Sequence, residues 1–284
     1  MRAPLRLMRT VAALMLAASV LGLGVDGLYR DNAMVRAAWL GTDLVTLVLV
    51  VPLLVAAATL AARGSSRAWL LGLGAMAYAL YDYAFYLFGA AYNGAFLLYA
   101  AIVSLATAGL IAGLATPGSR RLAEATFIAP LGTTVRLVAA SMALISVTLA
   151  AVWIGFAIRH LLTGRLPPIV AATDHPTNVT AALDLWMVVT PGLWGSVRLA
   201  RGRRWGHVVA AVWAVGAALY MVGLTASTLV MHLAGVATGL GQAALWITIG
   251  GIATTDAVVL LRGVPRRQTV GTRAEGSPTD GRIP

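Results

Sequence analysis

The chain has 284 residues, 60% hydrophobic and only 11% charged, so it has too little polar surface for a water-soluble domain of its size, and lipid is the expected solvent. Its net charge of +11 sits between long apolar blocks and not along a polar face, which points to membrane orientation and away from nucleic acid. All 21 basic residues are Arg and Cys is absent; this excludes a Lys Schiff base with retinal or pyridoxal phosphate, disulfides, and thiolate metal or iron–sulfur sites.

Eight apolar segments follow in chain order: roughly 10–25, 42–62, 68–90, 95–115, 137–158, 181–199, 207–230 and 239–261. Each is near the length a helix needs to cross a bilayer. The first is preceded by Arg2, Arg6 and Arg9, the template of a signal peptide. Yet Arg9–Val20 (RTVAALMLAASV) matches Arg136–Val147 (RLVAASMALISV) at seven of twelve positions, and that copy lies mid-chain. The first segment is therefore expected to be a retained helix.

The second segment opens on Thr42 and Asp43, where an acid in a first turn stabilises the helix dipole, and carries Pro52. The third contains YALYDYAFYLFG with Asp82 slightly outward of its middle. An acid at that depth costs about 2.5–3.5 kcal/mol to insert and marks a functional site by default. Tyr78, Asp82 and Tyr86, at i, i+4 and i+8, share one stripe, while Tyr81, Phe85 and Phe88 form a more apolar one. The alternative for Asp82 is a purely structural bond to a Tyr or to Asn93. The sixth segment holds Asp184, a turn deeper than a cap at Asn178 or Thr180, and Pro191. The eighth holds Asp256, expected to snorkel or to pair with Arg262 or Arg198.

With eight spans and the N-terminus inside, 17 of the 21 Arg fall on the cytoplasmic side; Arg30, Arg36, Arg159 and Arg165 are the exceptions. The expected fold is an all-α, polytopic membrane bundle of about eight transmembrane helices, with both termini cytoplasmic. Asp43 and Pro52 pair with Asp184 and Pro191, the loop ARG at 62–64 with ARG at 200–202, and YALY at 78–81 with AALY at 217–220. These pairs read as two tandem, parallel four-helix repeats: half 1 at 1–115 and half 2 at 136–261, joined by a cytoplasmic linker at 116–135. Residues 262–284 read as a disordered cytoplasmic tail.

The candidate binding or proton-relay residues are Asp82, Tyr78, Tyr86, Asp184, Asp43 and Asn93, with the acids lining an outward-facing vestibule. His160, His175 and His232 fall on the outer side, but no two have ligand spacing on one helix, so they are weak metal or haem candidates and no cofactor is expected. The run DGLYRDN at 26–32 lacks the oxygen ligands of a Ca²⁺ loop and reads as a turn and cap. No phosphate-binding, zincin, serine-hydrolase or dinucleotide motif occurs.

GLYRDN at 27–32, GTDLVTL at 41–47, YDYAFYLFG at 81–89, HPTNV at 175–179 and LDL at 183–185 resemble segments of a family of uncharacterised multi-pass bacterial membrane proteins. The resemblance implies a multi-pass protein of the bacterial inner membrane and supplies no catalytic residues. Three functions follow as expectations. The first is a small-molecule or ion transporter, or a membrane binding protein, whose partners are the bilayer and an unknown small molecule or ion. The second is a membrane-embedded enzyme on a lipid or isoprenoid substrate, using Asp184 or His232. The third is a structural or assembly subunit; the substrate and the oligomeric state are not readable from the sequence.

Overall fold

The computed structural model describes residues 2–128, 132–237 and 239–264, and among them there is helix and no strand. The helices are α1 (Arg2–Gly24), α2 (Ala33–Ala62), α3 (Ser66–Gly89), α4 (Phe96–Leu114), α5 (Pro117–Ile128), α6 (Thr133–Thr163), α7 (Pro168–Thr173), α8 (179–200), α9 (Gly206–Leu233) and α10 (Gly241–Arg262). Six of them, α1, α2, α4, α6, α9 and α10, are long and apolar enough to cross a membrane. The expectation of a disordered tail falls mostly on 265–284, outside the described residues.

The long helices coincide with the eight apolar segments, but their starts differ where polar caps extend them. α2 begins nine residues before Thr42, because Asn32 caps it: the Asn32 side chain accepts from Val35 N at 3.0 Å. Asp43 is therefore about three turns inside α2 and is no dipole-stabilising first-turn acid, as the sequence had implied. The 116–135 linker contains a helix, α5, whose first turn is built by Thr116 and Ser119. Ser119 N donates to Thr116 Oγ1 at 3.2 Å, and Trp69 of α3 donates to Ser119 Oγ at 2.9 Å.

Two long helices contain π-helical turns. In α2 the π segment is Thr46–Val50, followed by Val51 and Pro52; in α8 it is Asp184–Val189, followed by Thr190 and Pro191. Proline has no N–H and its ring crowds the carbonyl four residues earlier, so the ladder widens just ahead of it.

α3 occupies the centre, packed against α2, α4 and α9. α1 packs against α2 and α4, while α6 lies on α8 and α10 on α9. Small residues set the tightest crossings. A Cβ on Gly216 would stand 3.3 Å from the Gly74 carbonyl oxygen, and one on Gly41 only 2.5 Å from Ser227 Cα, so α9 meets α3 and α2 nearly backbone to backbone. Large apolar side chains face outward along the helices: Leu144 and Ile154 of α6 and Ile247 of α10 are all exposed.

The contacts at the two ends of the bundle show how the helices alternate. At one end Arg67 donates to the Arg262 and Val264 carbonyls, at 3.0 and 3.3 Å, and Arg204 pairs with Glu124. At the other, Asn32 reaches Asp174 at 3.1 Å and the Asp31 carboxylate accepts from Ala91 N at 2.8 Å. Arg30, Arg36, Arg159 and Arg165 belong to this second end by helix direction, and every other described Arg to the first.

Candidate functional site

The stripe Tyr78–Asp82–Tyr86 of α3 faces α2. Tyr86 Oη donates to Asp43 Oδ1 at 3.2 Å, with the Trp39 carbonyl also at 3.2 Å, and the Tyr78 hydroxyl lies 2.8 Å from Thr46 Oγ1. Tyr29, from the loop between α1 and α2, donates to the other Asp43 oxygen at 2.5 Å. Gly22 makes room for this pair, since a Cβ there would overlap both the Asp43 carboxyl and the Tyr29 hydroxyl. The Trp39, Tyr29, Tyr83, Tyr86 and Tyr99 rings stack and tilt around the carboxyl.

Asp82 lies in this stripe, between the two tyrosines. It is 2% exposed, and its Oδ2 has no hydrogen-bond partner. Ser19 Oγ of α1 and Tyr99 Oη of α4 are likewise buried and unpartnered. Four helices thus bring two carboxyls and several hydroxyls together, and none of these side chains is basic. Buried polar atoms are nearly always paired, so three unpartnered ones in a single cluster are an unusual feature of this interior.

The third carboxyl is bound on a different side of α3. Asp184 accepts from Tyr81 Oη at 2.6 Å and from Trp153 Nε1 of α6 at 2.8 Å. Tyr81 also stands edge-on to Tyr220 of α9, with ring centroids 4.4 Å apart. Tyr81, expected in the more apolar stripe, packs its ring on Ala84, Val179 and Leu183, while its hydroxyl donates to Asp184.

Other expectations are corrected in the same way. The acids do not line an open vestibule, since Asp43, Asp82 and Asp184 are 1%, 2% and 6% exposed under packed side chains. Asn93 does not join Asp82; it braces the turn into α4, donating to the Ala91 carbonyl at 3.1 Å and accepting from Ala95 N at 2.9 Å. Asp256 pairs with neither Arg262 nor Arg198 but accepts from Ser141 Oγ of α6 at 2.6 Å. The DGLYRDN run acts as a turn and cap through Asp31 and Asn32.

The histidines do not converge. His160 contacts the Arg165 carbonyl at 3.0 Å, His232 is exposed near the end of α9, and His175 packs edge-on against Phe85. Among the described residues no group of three His, Asp or Glu is placed to hold a metal ion. Burial holds His175 below the usual His range, with Asp31 and Asp174 acting in the opposite direction.

Sequence reasoning missed Tyr29 and Trp153, the two donors that complete the Asp43 and Asp184 sites. Tyr29 lies within the GLYRDN resemblance, which was a usable signal; Trp153 carried none, because only the tertiary fold brings α6 to Asp184. The fold and its buried acids define a membrane helix bundle with an acid–tyrosine interior. No family model matches the chain, and the searches of curated proteins and of solved structures returned no match.

Proposed function

We propose that this is an eight-span protein of the bacterial inner membrane with both termini cytoplasmic, acting as a proton-coupled transporter of a small molecule or ion. Asp82 is the proton-exchanging group. The observation that carries this reading is the unpartnered, buried Asp82 oxygen among hydroxyls, with no cation beside it. A carboxyl without a cationic partner crosses low-dielectric surroundings most cheaply as the neutral acid, so gaining and losing its proton is linked to the access of water.

Several features support the eight spans. α3 and α8 are the two long helices outside the strongly apolar set, and they hold Asp82 with four Tyr and Asp184 with two Trp. The Tyr and Asp side chains of α3 are all buried among other helices, so they need not meet lipid. The Arg-rich end agrees with a cytoplasmic side. A tandem repeat is supported by the shared π turn before Pro52 and Pro191. Tyr81 and Tyr220, which occupy equivalent places in the YALY and AALY segments, also touch, as residues near a pseudo-twofold axis do.

The test is flux in proteoliposomes loaded with a pH-sensitive dye, challenged from outside with amino acids, sugars and monovalent cations in turn. The expected result is proton movement driven by one of these classes and lost in Asp82→Asn. Substrate-driven proton movement that is unchanged in Asp82→Asn would sink the proposal.

A further inference from the structure

α2 and α8 share a joint of the same construction. In α2 the N–H of Val51, the residue before Pro52, bonds to the Thr46 carbonyl; in α8 the N–H of Thr190, the residue before Pro191, bonds to the Leu185 carbonyl. Both closures run from i to i−5, so each helix is wound wide at the pre-proline residue. The proline that follows keeps the regular ladder from re-forming, which makes these two points the weakest in bending along their helices.

Outward of the joints lie Ala33–Val45 of α2 and Val179–Leu183 of α8. These two pieces are tied together, since Asn32, which caps the first, donates to the Ala172 carbonyl at 3.0 Å and to Asp174 Oδ2 at 3.1 Å in the segment leading to the second. Together they cover the outer part of α3. Val179 and Leu183 pack on Tyr81 and Ala84, and His175 lies edge-on to Phe85. Asp43 of the first piece bonds to Tyr86 of α3, and Asp184, the first residue of the α8 π segment, bonds to Tyr81. The first piece is also held to α9, where Thr42 Oγ1 lies 2.9 Å from Ser227 Oγ and Ser227 donates to the Ala38 carbonyl at 2.8 Å. Asp82 lies one turn inward of Tyr86 on α3 and is 2% exposed.

We propose that the outer parts of α2 and α8 form a single lid, hinged at the two pre-proline π turns and clasped to α3 by Asp43–Tyr86 and Asp184–Tyr81, and that its opening exposes Asp82 to the outer side. The proposal rests on the reading of Asp82 as the proton-exchanging group, and assigns to Asp43 and Asp184 the separate task of holding the lid shut. Hydrogen bonds between membrane helices are weak enough to be broken and remade in a working cycle.

The chain contains no Cys, so a single introduced thiol reports without background. Ala84→Cys places it under the lid, at a position 1% exposed, and Leu73→Cys places a control in the inner part of α3, at 0%. Proteoliposomes are treated with a membrane-impermeant maleimide. The account expects slow labelling of Ala84→Cys, made about threefold faster by Tyr81→Phe and again by Tyr86→Phe, the change in open population that one lost interhelical hydrogen bond brings. Leu73→Cys should stay unlabelled in every background. Labelling of Ala84→Cys that neither Phe variant accelerates, or equal acceleration at Leu73→Cys, would overturn the lid. Labelling requires no proton exchange, so a failure of the Asp82 reading shows separately, as unchanged flux in Asp82→Asn.

Discussion

α3 and α9 pack against each other through Gly74, Gly216 and the Tyr81–Tyr220 pair, yet they carry different chemistry. When YALY at 78–81 is set against AALY at 217–220, Tyr78, Asp82 and Tyr86 of α3 stand opposite Ala217, Met221 and Thr225 of α9. α2 and α8, by contrast, each carry both a buried acid and a π turn before proline. What α2 and α8 share is a jointed helix with a carboxyl bonded to a tyrosine of α3. What sets α3 apart from α9 is its buried acid, and the proposal gives exchange to Asp82 and clasping to Asp43 and Asp184 on that difference.

The largest effect that would sharpen or break this contrast is on flux. Asp82→Asn should reduce proton-coupled transport at least tenfold, since it removes the proposed exchanging group, about 1.4 kcal/mol or more in rate terms. Asp184→Asn, which still offers an oxygen to Tyr81 and Trp153, should cost far less in the same dye assay. Equal losses would remove the distinction between the two acids.

A second prediction concerns packing around Asp43. Gly22→Ala forces a methyl group into the Asp43 carboxyl and the Tyr29 hydroxyl. It should destabilise the protein by about 1–3 kcal/mol, the usual cost of overpacking, seen as a lower midpoint in thermal or denaturant unfolding in detergent. Gly155→Ala on α6, where nothing lies within 4 Å, should leave the midpoint in place. A smaller effect is expected from the clasps themselves: Tyr81→Phe and Tyr86→Phe should each cost about 0.6–1.7 kcal/mol in the same measurement.

The smallest effect is a local one at the outer end. His175 lies outside the spans and burial favours its neutral form, so the unfolded loop takes up a proton more readily than the folded one. The loop's stability is therefore complete above the ordinary His value of 6.5 and declines as pH falls below it. The hydrogen-exchange protection factor across 164–178, corrected for the intrinsic pH dependence of amide exchange, should fall on acidification, and His175→Gln should flatten that dependence.

Much of this was legible before any coordinates. The helices could be placed because long apolar blocks need no partner to be recognised, and the Tyr78–Asp82–Tyr86 stripe because helical spacing alone puts those residues on one face. The start of α2 was not legible, since the stretch from Ala33 to Gly41, with Arg36 inside it, interrupts the apolar run; this made Asp43 look like a helix cap. Partner choice was hidden as well. Trp153 and Tyr29 meet their acids only after four helices pack, and Asn93, close to Asp82 in outward depth, turns instead to its own loop.

The central claim is that Asp82, and not Asp184, exchanges its proton with the outside. Infrared difference spectra across a pH step, on reconstituted protein and on Asp82→Asn and Asp184→Asn, read this directly in the carboxylic-acid C=O region. The account predicts a carboxyl band that changes with pH in the parent, persists in Asp184→Asn and is missing from Asp82→Asn. A band that survives unchanged in Asp82→Asn would contradict it.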